Sequence, residues 1–574
     1  MNRRMAMSQA EVIAIEQEIY TSEKTAVFRV KSPDGETVIL KTLRSEYPDP
    51  SDLSEFKHEY EILQKLKNPG IIKAIGIEKY KSGLAIILED IGGIDLYKII
   101  QSRRLSLKEC VEIMLASTKA LSSIHSASIV HRDIKAHNII YNEKTKELKI
   151  IDFGSASLLI KQNSFISMNS SLEGTLAYIS PEQTGRMNRT VDYRTDYYSL
   201  GVTFYQILTG DIPFIYSDPM ELVHAHIAKV PVSPFEVINS RGLQPIGEAK
   251  ITKVISDIIM KLLQKNPEDR YQSAFGILHD LEWCIKNIAE LENENITYEI
   301  EDYQIGQNDF SPRFQIPEKL YGRSKEIIPI LKSFTHVTEG EVELIFISGR
   351  SGTGKSVLIN EINKPIVEYK GYFASGKYDQ YKRNIPYYGI TLSLKNLLKQ
   401  ILTESHDSIL KWKEILQASV GLNGKVITDV IPELETLIEE QPDVPSLGIA
   451  ESQNRFSLVF QNFIKAFCKQ EHPITLFLDD LQWADTPSIA LVETILTNPE
   501  MKFLLLILSF RDNEVLPADP FSLMLENLQK KGMNYKSIIL NPFSIHDISH
   551  LVADTLRCEK KEAKQLAEEL FKKT

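Results

Sequence analysis

The sequence predicts two domains of different class, an α+β unit in the first half and an α/β unit in the second. Three observations carry that expectation. The chain has 574 residues, too many for one hydrophobic core and enough for two or three domains. In the first half, strand-like runs come early and helical patterning over Ser106 to Ser126 follows, leading to His131-Arg132-Asp133-Ile134-Lys135-Ala136-His137-Asn138 and then Asp152-Phe153-Gly154. In the second half, the apolar run Leu344 to Ser348 opens into Gly349-Arg350-Ser351-Gly352-Thr353-Gly354-Lys355-Ser356 and a following helix from Val357. That is the strand, glycine-rich loop and helix order of an α/β phosphate-binding unit.

Composition narrows the class further. With 43% hydrophobic and 25% charged residues, the chain reads as ordinary globular protein. A net charge of −11 argues against a nucleic-acid-binding surface, and no nucleic acid is expected as partner. Cys110, Cys284, Cys468 and Cys558 are scattered without metal-ligand spacing, which suits a reducing cytosol. The longest apolar run, Phe503 to Phe510, is far short of the roughly 20 residues that cross a bilayer and reads as a buried parallel strand. Arg3 and Arg4 are followed by no apolar stretch, so no signal peptide is expected. The expected location is the cytoplasm, with no membrane span. No internal repeat is visible.

Taken in order, Val27 to Val30 and Thr37 to Thr42 read as strands joined at Ser32-Pro33-Asp34-Gly35. Lys41 ends the apolar run Val38-Ile39-Leu40; alone it reads as readily as a solvated edge residue. The helical segment Asp52 to Leu66 carries Leu53, Phe56, Tyr60, Leu63 and Leu66 on one stripe. Glu59 falls on that apolar face, where a carboxylate is costly without a cationic partner. Lys41 is the candidate, and a side chain reaching out at the stripe's margin is the alternative. Leu84 to Leu88 reads as a strand, followed by Glu89-Asp90-Ile91 and by Gly92-Gly93, which are expected to loosen the connection. Helical patterning over Ser106 to Ser126 delivers the chain to His131, and Ile139 to Ile151 reads as a short hairpin.

Asp133 and Asn138, five positions apart, with Asp152 before Phe-Gly, are the parts needed to pass a phosphoryl group to a hydroxyl. Asp133 would orient the hydroxyl and receive its proton; Asn138 and Asp152 would hold magnesium ions. The stretch resembles the eukaryotic-type Ser/Thr protein kinases. That resemblance implies the α+β bilobal protein kinase fold over residues 1–288, with ATP and Mg2+ as cofactors and a protein as substrate. It implies that Lys41, paired with Glu59, grips the α- and β-phosphates. Leu88 takes the gatekeeper position, and backbone groups of Glu89 and Ile91 bind adenine. Lys135 is the residue type of Ser/Thr-specific kinases and steadies the migrating phosphate, while His131 is structural. The polar stretch Gln162 to Ser171 resembles an activation segment; Ser164, Ser167, Ser170 and Ser171 are candidate phosphate acceptors that would pair with Arg132. Gly174-Thr175, Tyr178 and Pro181 match its substrate-positioning end. Glu182 would pair with Arg270, and Asp196 would brace the catalytic loop, all three for fold stability. Small-molecule phosphotransferases generally lack this Pro-Glu and distant-Arg pattern.

One part departs from the family. Tyr20, Ser22 and Thr25 stand where the kinases keep the glycines of the loop over the phosphates, so the loop should be stiffer and the nucleotide more crowded. A non-catalytic scaffold therefore stays open beside the enzyme.

Residues 289–318 are acidic and non-periodic, a linker or a strap lying across a neighbour; 319–574 form the second domain. Its glycines would let amides wrap the phosphates, with Lys355 on the β- and γ-phosphates and Ser356 on magnesium. The buried strand Pro473 to Leu478 ends in Asp479, for the magnesium shell, and Asp480, for the attacking water. Arg511, at the end of Phe503 to Phe510, either senses the γ-phosphate or is a surface residue at a strand end. With Tyr321-Gly322-Arg323, this set resembles the AAA/STAND class of α/β P-loop NTPases. Gly376-Lys377-Tyr378-Asp379-Gln380 and Pro386-Tyr387 resemble the version fused to kinases in large bacterial signalling proteins. The resemblance implies slow hydrolysis or a nucleotide-held switch, because the second acid is aspartate, and downstream signalling modules as partners. No histidine-kinase phosphoacceptor or nucleotide box is found. The sequence ends at Phe571-Lys572-Lys573-Thr574 inside what reads as a helical lid, so this domain is expected to be incomplete there. The leading expectation is a Ser/Thr kinase controlled by an ATPase module. The rivals are a pseudokinase scaffold whose nucleotide switch carries the function, and a chain whose main activity is ATP hydrolysis.

Overall fold

The structure is a computed structural model. It describes residues 15–573 except 23, 33–34, 46–47, 81–82, 159–175, 188, 243–248, 293–302, 311–319, 384, 403, 405, 516–518 and 557. The four candidate serines, Gly174-Thr175, the middle of the Ser32–Gly35 turn and much of the acidic segment 289–318 lie outside the described residues. The chain divides into two compact units, one of residues 1–183, 190–215 and 230–312, the other of 313–574 grouped with 184–189 and 216–229.

The first unit opens with an antiparallel sheet: β1 (Ile15–Thr21), β2 (Thr25–Lys31), β3 (Thr37–Leu43), β4 (Ala74–Tyr80) and β5 (Gly83–Glu89), in the order β1-β2-β3-β5-β4. Val30, Val38, Leu40 and Ala85 form its small core. Alternation along β3 buries Val38, Leu40 and Thr42, so Lys41 leaves on the opposite face. Helix α1 (Pro50–Lys65) starts two residues before the sequence pattern, because proline is tolerated in a first helical turn. It buries Phe56, Glu59, Ile62 and Leu63, which places Glu59 in the middle of the stripe.

The helical part follows. Asp95 caps α2 (Leu96–Ser102), and a reciprocal Ser106–Glu109 capping box starts α3 (Leu107–Ser126). Short strands β6 (Ile94–Asp95), β7 (Ile129–Val130), β8 (Ile139–Tyr141), β9 (Leu148–Ile150) and β10 (Ser157–Leu158) bracket the motif; β8 and β9 are the expected hairpin. The helix Arg194–Thr209 is buried along its whole length.

Gly92-Gly93 corrects an expectation. Gly92 sits at φ +65° with its N–H on Asp90 Oδ1 (2.8 Å), and Asp90 accepts from Arg29 Nε on β2 (2.6 Å). At Gly93 a Cβ would lie 2.9 Å from the Tyr141 backbone. These glycines serve a turn and a close approach, so the connection is pinned, not loosened.

The second unit is a five-stranded parallel sheet: β11 (Val342–Ser348), β12 (Tyr372–Lys377), β13 (Ile474–Asp479), β14 (Leu504–Phe510) and β15 (Lys536–Ile539), in the order β12-β13-β14-β11-β15. Apolar side chains cover it on both faces, which is why β13 and β14 read as near-continuous apolar runs, broken only by Thr475 and Ser509 before Asp479 and Arg511. In such a sheet, ligand-binding loops gather at the carboxyl ends of the strands. The glycine-rich loop after β11, Asp480 after β13 and Arg511 after β14 all lie there. Helices Ile545–Leu556 and Lys560–Lys573 pack on each other at the end of the chain.

Candidate active site and phosphate-binding loop

Strand β3 and helix α1 bring Lys41 and Glu59 together. Lys41 Nζ donates to Glu59 Oε1 (2.7 Å) and Oε2 (2.9 Å), and to Asp152 Oδ1 (2.9 Å). Burial favours a neutral amine, but the charges of Asp152 and Glu59 outweigh it and hold Lys41 above its usual range. The Lys41 cation in turn holds the Asp152 carboxyl well below the usual carboxylate range.

Asp196 organises the loop that carries Asp133. It is fully buried and accepts from His131 N (2.9 Å), Arg132 N (2.7 Å) and His125 Nε2 (2.8 Å). Those bonds hold Arg132 at φ +67°, a conformation costly for a side-chain-bearing residue. His131 Nε2 bonds the Ile151 carbonyl (3.1 Å), and its ring packs edge-on against Phe153. Asp133 is thereby presented on a fixed loop. Its Oδ2 accepts from Lys135 Nζ (2.8 Å) and Asn138 Nδ2 (2.9 Å), while its buried Oδ1 has no partner among the described residues. Burial pushes the Asp133 carboxyl up, against the pull of Lys135. A carboxylate with a spare buried oxygen is equipped to take a hydrogen bond, and then a proton, from an incoming hydroxyl.

Oxygen donors for a hard cation stand beside it. Asn138 spends its amide N–H on Asp133, leaving Oδ1 without a hydrogen bond among the described residues. Asp152 is 41% exposed and held ionised, with Lys41 on Oδ1 alone. An amide oxygen and a carboxylate fit magnesium, which keeps waters and phosphate oxygens in its shell. Among the described residues no cluster of three or more His, Cys, Asp or Glu could by itself hold a metal.

The end of the activation-segment-like stretch is tied to this loop. Gln183 Nε2 donates to the Arg132 carbonyl (2.9 Å), and Tyr178 OH to Gln206 (2.6 Å). Glu182 and Arg270 form a two-bond ion pair (2.7 and 2.8 Å) with side chains 1% and 0% exposed. In the hinge, Leu88 is buried. The Glu89 side chain takes Lys149 Nζ (2.7 Å) and Lys73 N (2.8 Å), and the Ile91 carbonyl accepts from Asn142 Nδ2 (2.6 Å). The Lys149 and Asn142 contacts were not anticipated; Lys149, set between the buried Leu148 and Ile150, was the available signal.

Where the kinases keep glycines, β1 and β2 meet in a tight turn. Ser22 N bonds the Thr25 carbonyl (2.8 Å), Thr25 N bonds Ser22 Oγ (3.0 Å), and Arg44 holds the Ser22 carbonyl (3.1 Å). Tyr20 is exposed.

In the second unit, Gly352 (φ +80°) and Gly354 (φ +88°) take left-handed backbone that other residues resist. Lys355 Nζ donates to the Gly349 (2.7 Å) and Arg350 (3.1 Å) carbonyls, and burial pulls its proton affinity down. Ser356 is exposed on the first helical turn. Asp479 accepts from Ser509 Oγ and from Asp480 N (3.0 Å). Asp480 takes Gln482 Nε2 (3.0 Å), Arg511 Nε (3.1 Å) and Lys377 Nζ (3.2 Å). Arg511 also pairs with Glu514 (2.8 Å) and lies over the Trp483 ring. Lys377 and Ser509 were missed as site residues. The register opposes Lys377 to Asp479, a pairing that strand order, not sequence, reveals. Arg323 donates to the Thr353 (3.1 Å) and Asn541 (2.6 Å) carbonyls, fastening the loop from behind.

Comparisons with known proteins agree with this geometry. The protein kinase domain family matches residues 16–281, and the AAA ATPase domain family matches residues 319–508. Hybrid signal transduction histidine kinase G of Dictyostelium discoideum is 38% identical over 340 residues, 56% of this chain and 9% of that protein. Histidine protein kinase 1 of Candida albicans is 24% identical over 427 residues, 68% of this chain and 17% of that protein. Serine/threonine-protein kinase PknB of Mycolicibacterium smegmatis is 32% identical over 255 residues, 42% of this chain and 38% of that protein. The chain thus spans well under half the length of each of these relatives. Among the described residues no helix is long and apolar enough to cross a membrane. A catalytic-type acid on a braced loop and a glycine-rich loop on a parallel sheet therefore have one explanation: this chain carries a protein kinase domain followed by an AAA ATPase domain.

Proposed function

We propose that the first domain transfers the γ-phosphoryl group of ATP to serine or threonine hydroxyls of a protein. The observation that carries this reading is the assembled set Lys41–Glu59–Asp152 beside Asp133 with Lys135 and Asn138. Lys41 holds the α- and β-phosphates, and Asp133 aligns the acceptor oxygen and takes its proton. A bond forms between that oxygen and the γ-phosphorus, and the bond to the departing ADP oxygen breaks. Lys135 balances charge on the moving group. Asn138 and Asp152 would hold Mg2+, which when bound neutralises phosphate charge. Serine and threonine are favoured as acceptors by Lys135 and by the similarity to PknB.

In the second domain, Lys355, Ser356 and Asp479 would hold a nucleotide with its magnesium, and Asp480 with Arg511 would read the γ-phosphate. With an aspartate second acid already engaged by Lys377 and Arg511, the domain works as a slow switch on the kinase. The four unpaired cysteines support a cytoplasmic setting. The proposed limits are a kinase domain whose family-like part is 1–288 and an ATPase domain over 319–574, joined through residues 289–318, part of which packs with the first unit.

Labelled ATP transfer by the full chain, with Asp133→Ala as control, tests the reading. Label on Ser or Thr that disappears in the variant is the expected result. The bonded Ser22–Thr25 turn in place of glycines favours a second reading, a scaffold in which the nucleotide switch acts. No label from wild type with magnesium or manganese would decide for it.

A further inference from the structure

The segment Tyr303–Phe310 follows the stretch matched by the kinase family, which ends at residue 281, and precedes the ATPase domain in the sequence. It is built into the first unit by contacts on both sides. The Tyr303 ring stacks on Trp283 (centroids 4.4 Å apart, 17° between planes), and its hydroxyl donates to Asp280 (2.8 Å). Gly306 N donates to the other Asp280 oxygen (2.7 Å). Asp309, 5% exposed, accepts from Gln272 N (2.9 Å), Ser273 N (2.9 Å) and Ser273 Oγ (2.9 Å). Both surfaces are shaped for the fit. A Cβ on Gly276 would lie 2.6 Å from Asp309 Cβ, and Gly306 holds φ +76°, a backbone that side-chain-bearing residues resist.

What Asp309 grips leads to the catalytic loop. The Gln272 side chain donates to the Pro267 (2.9 Å) and Arg270 (2.8 Å) carbonyls and accepts from Arg194 (3.0 Å). Its own carbonyl accepts from Tyr193 OH (2.9 Å). Arg270 binds Glu182, which also accepts from Thr195 Oγ1 (2.7 Å). Tyr193 and Tyr197 pack on His125, the partner of Asp196, and Asp196 holds the amides of His131 and Arg132. Every side chain named between Asp309 and that loop is buried, so loosening one end has no solvent route for relaxation.

We infer that Tyr303–Phe310 is a clamp belonging to the kinase domain, and that Asp309 is a positioning residue for the loop carrying Asp133. The connector then bears on phosphotransfer through a docked segment. The catalytic arm of the test rests on the kinase reading above; the exchange arm does not.

The experiment compares full-chain wild type, Asp309→Ala, Asp309→Asn and, as a control on the same segment, the exposed Gln307→Ala. Amide hydrogen exchange at His131 and Arg132 should rise about three- to thirtyfold in Asp309→Ala, the range for coupling through packed networks. It should rise less in Asp309→Asn, which keeps one acceptor, and stay unchanged in the control. kcat should fall by a similar factor, with KM for ATP within about twofold of wild type, because Lys41 is held by other contacts. Faster exchange confined to residues 272–276, with His131 and Arg132 at wild-type protection, overturns the inference. If Asp309→Ala does not fold, Tyr303→Phe removes the hydroxyl bonds to Asp280 and His279 Nδ1 (3.1 Å) while keeping the ring on Trp283, and is scored by the same criterion. A wild type that transfers no phosphate to protein, yet shows the expected exchange pattern, refutes the kinase reading and leaves the clamp standing.

Discussion

Glu182→Ala puts a number on the buried ion pair beneath the activation segment. Arg270 has five N–H donors. Two meet Glu182, and the others reach the carbonyls of Gln264 (2.7 Å), Lys265 (3.0 Å) and Arg194 (3.0 Å). With the arginine side chain 0% and the glutamate side chain 1% exposed, bulk solvent does not reach the guanidinium in place of the lost carboxylate. The variant strands a guanidinium in the interior and also removes the acceptor of Thr195 Oγ1. Breaking such a pair from one side costs about 3–5 kcal/mol. At about 1.4 kcal/mol per tenfold, local opening should rise by roughly two to nearly four decades. Native-state hydrogen exchange at the amides of residues 180–184 and 264–272 reads it directly. Replacing both partners by apolar residues, Glu182→Leu with Arg270→Met, should recover most of the loss, since neither charge is then left alone. An increase under about fivefold in the single variant, or a double variant worse than the single, would refute the buried-charge argument.

Four further outcomes follow from the same geometry. Gly93→Ala forces a methyl group against the Tyr141 backbone, so it should lower stability by about 1–3 kcal/mol and raise KM for ATP; an unchanged melting temperature would show that the hinge yields. Burial and the Arg270 charge lower the Lys265 amine to about 7. Between that value and its unfolded value of about 10.4 the unfolded chain binds more protons, so stability rises with pH there and is lost as pH falls towards 7. Lys265→Met should remove up to about 1.4 kcal/mol per pH unit from that slope in denaturation measured from pH 7 to 10. Lys135→Ala removes the cation that opposes burial at Asp133; the acid limb of kcat should move to higher pH, and an unmoved limb would take Asp133 out of the proton step. Lys355→Ala should weaken nucleotide binding by the second domain by at least about tenfold, the loss of one charged contact; titration of the full chain against a labelled ATP analogue, with the first site blocked by Lys41→Met, measures it.

Much of this protein could be read from one dimension. The class of the first domain followed from its resemblance to the kinases over residues 131–138 and 152–154, and that of the second from local signals: the largely apolar runs of β13 and β14 and the glycine-rich loop between β11 and its helix. Chemistry that depends on short spacing, such as Asp133 with Asn138 or Lys355 with Gly354, was legible for the same reason. Strand β1 was not anticipated, since Ile15–Thr21 is mostly polar and gains its place by pairing with β2. Gly92-Gly93 reads as slack in a sequence and proves to be a turn and a tight contact, because only packing shows what stands opposite a missing Cβ. Tertiary structure alone decided which charges meet: Lys149 with Glu89, Lys377 with Asp480, and Asp309 with the amides of Gln272 and Ser273. Those pairs lie 60 to about 100 positions apart, or on a segment with no periodicity. A sequence specifies local conformation through propensity and pattern, whereas long-range partners are selected by the three-dimensional closure that excludes water around them.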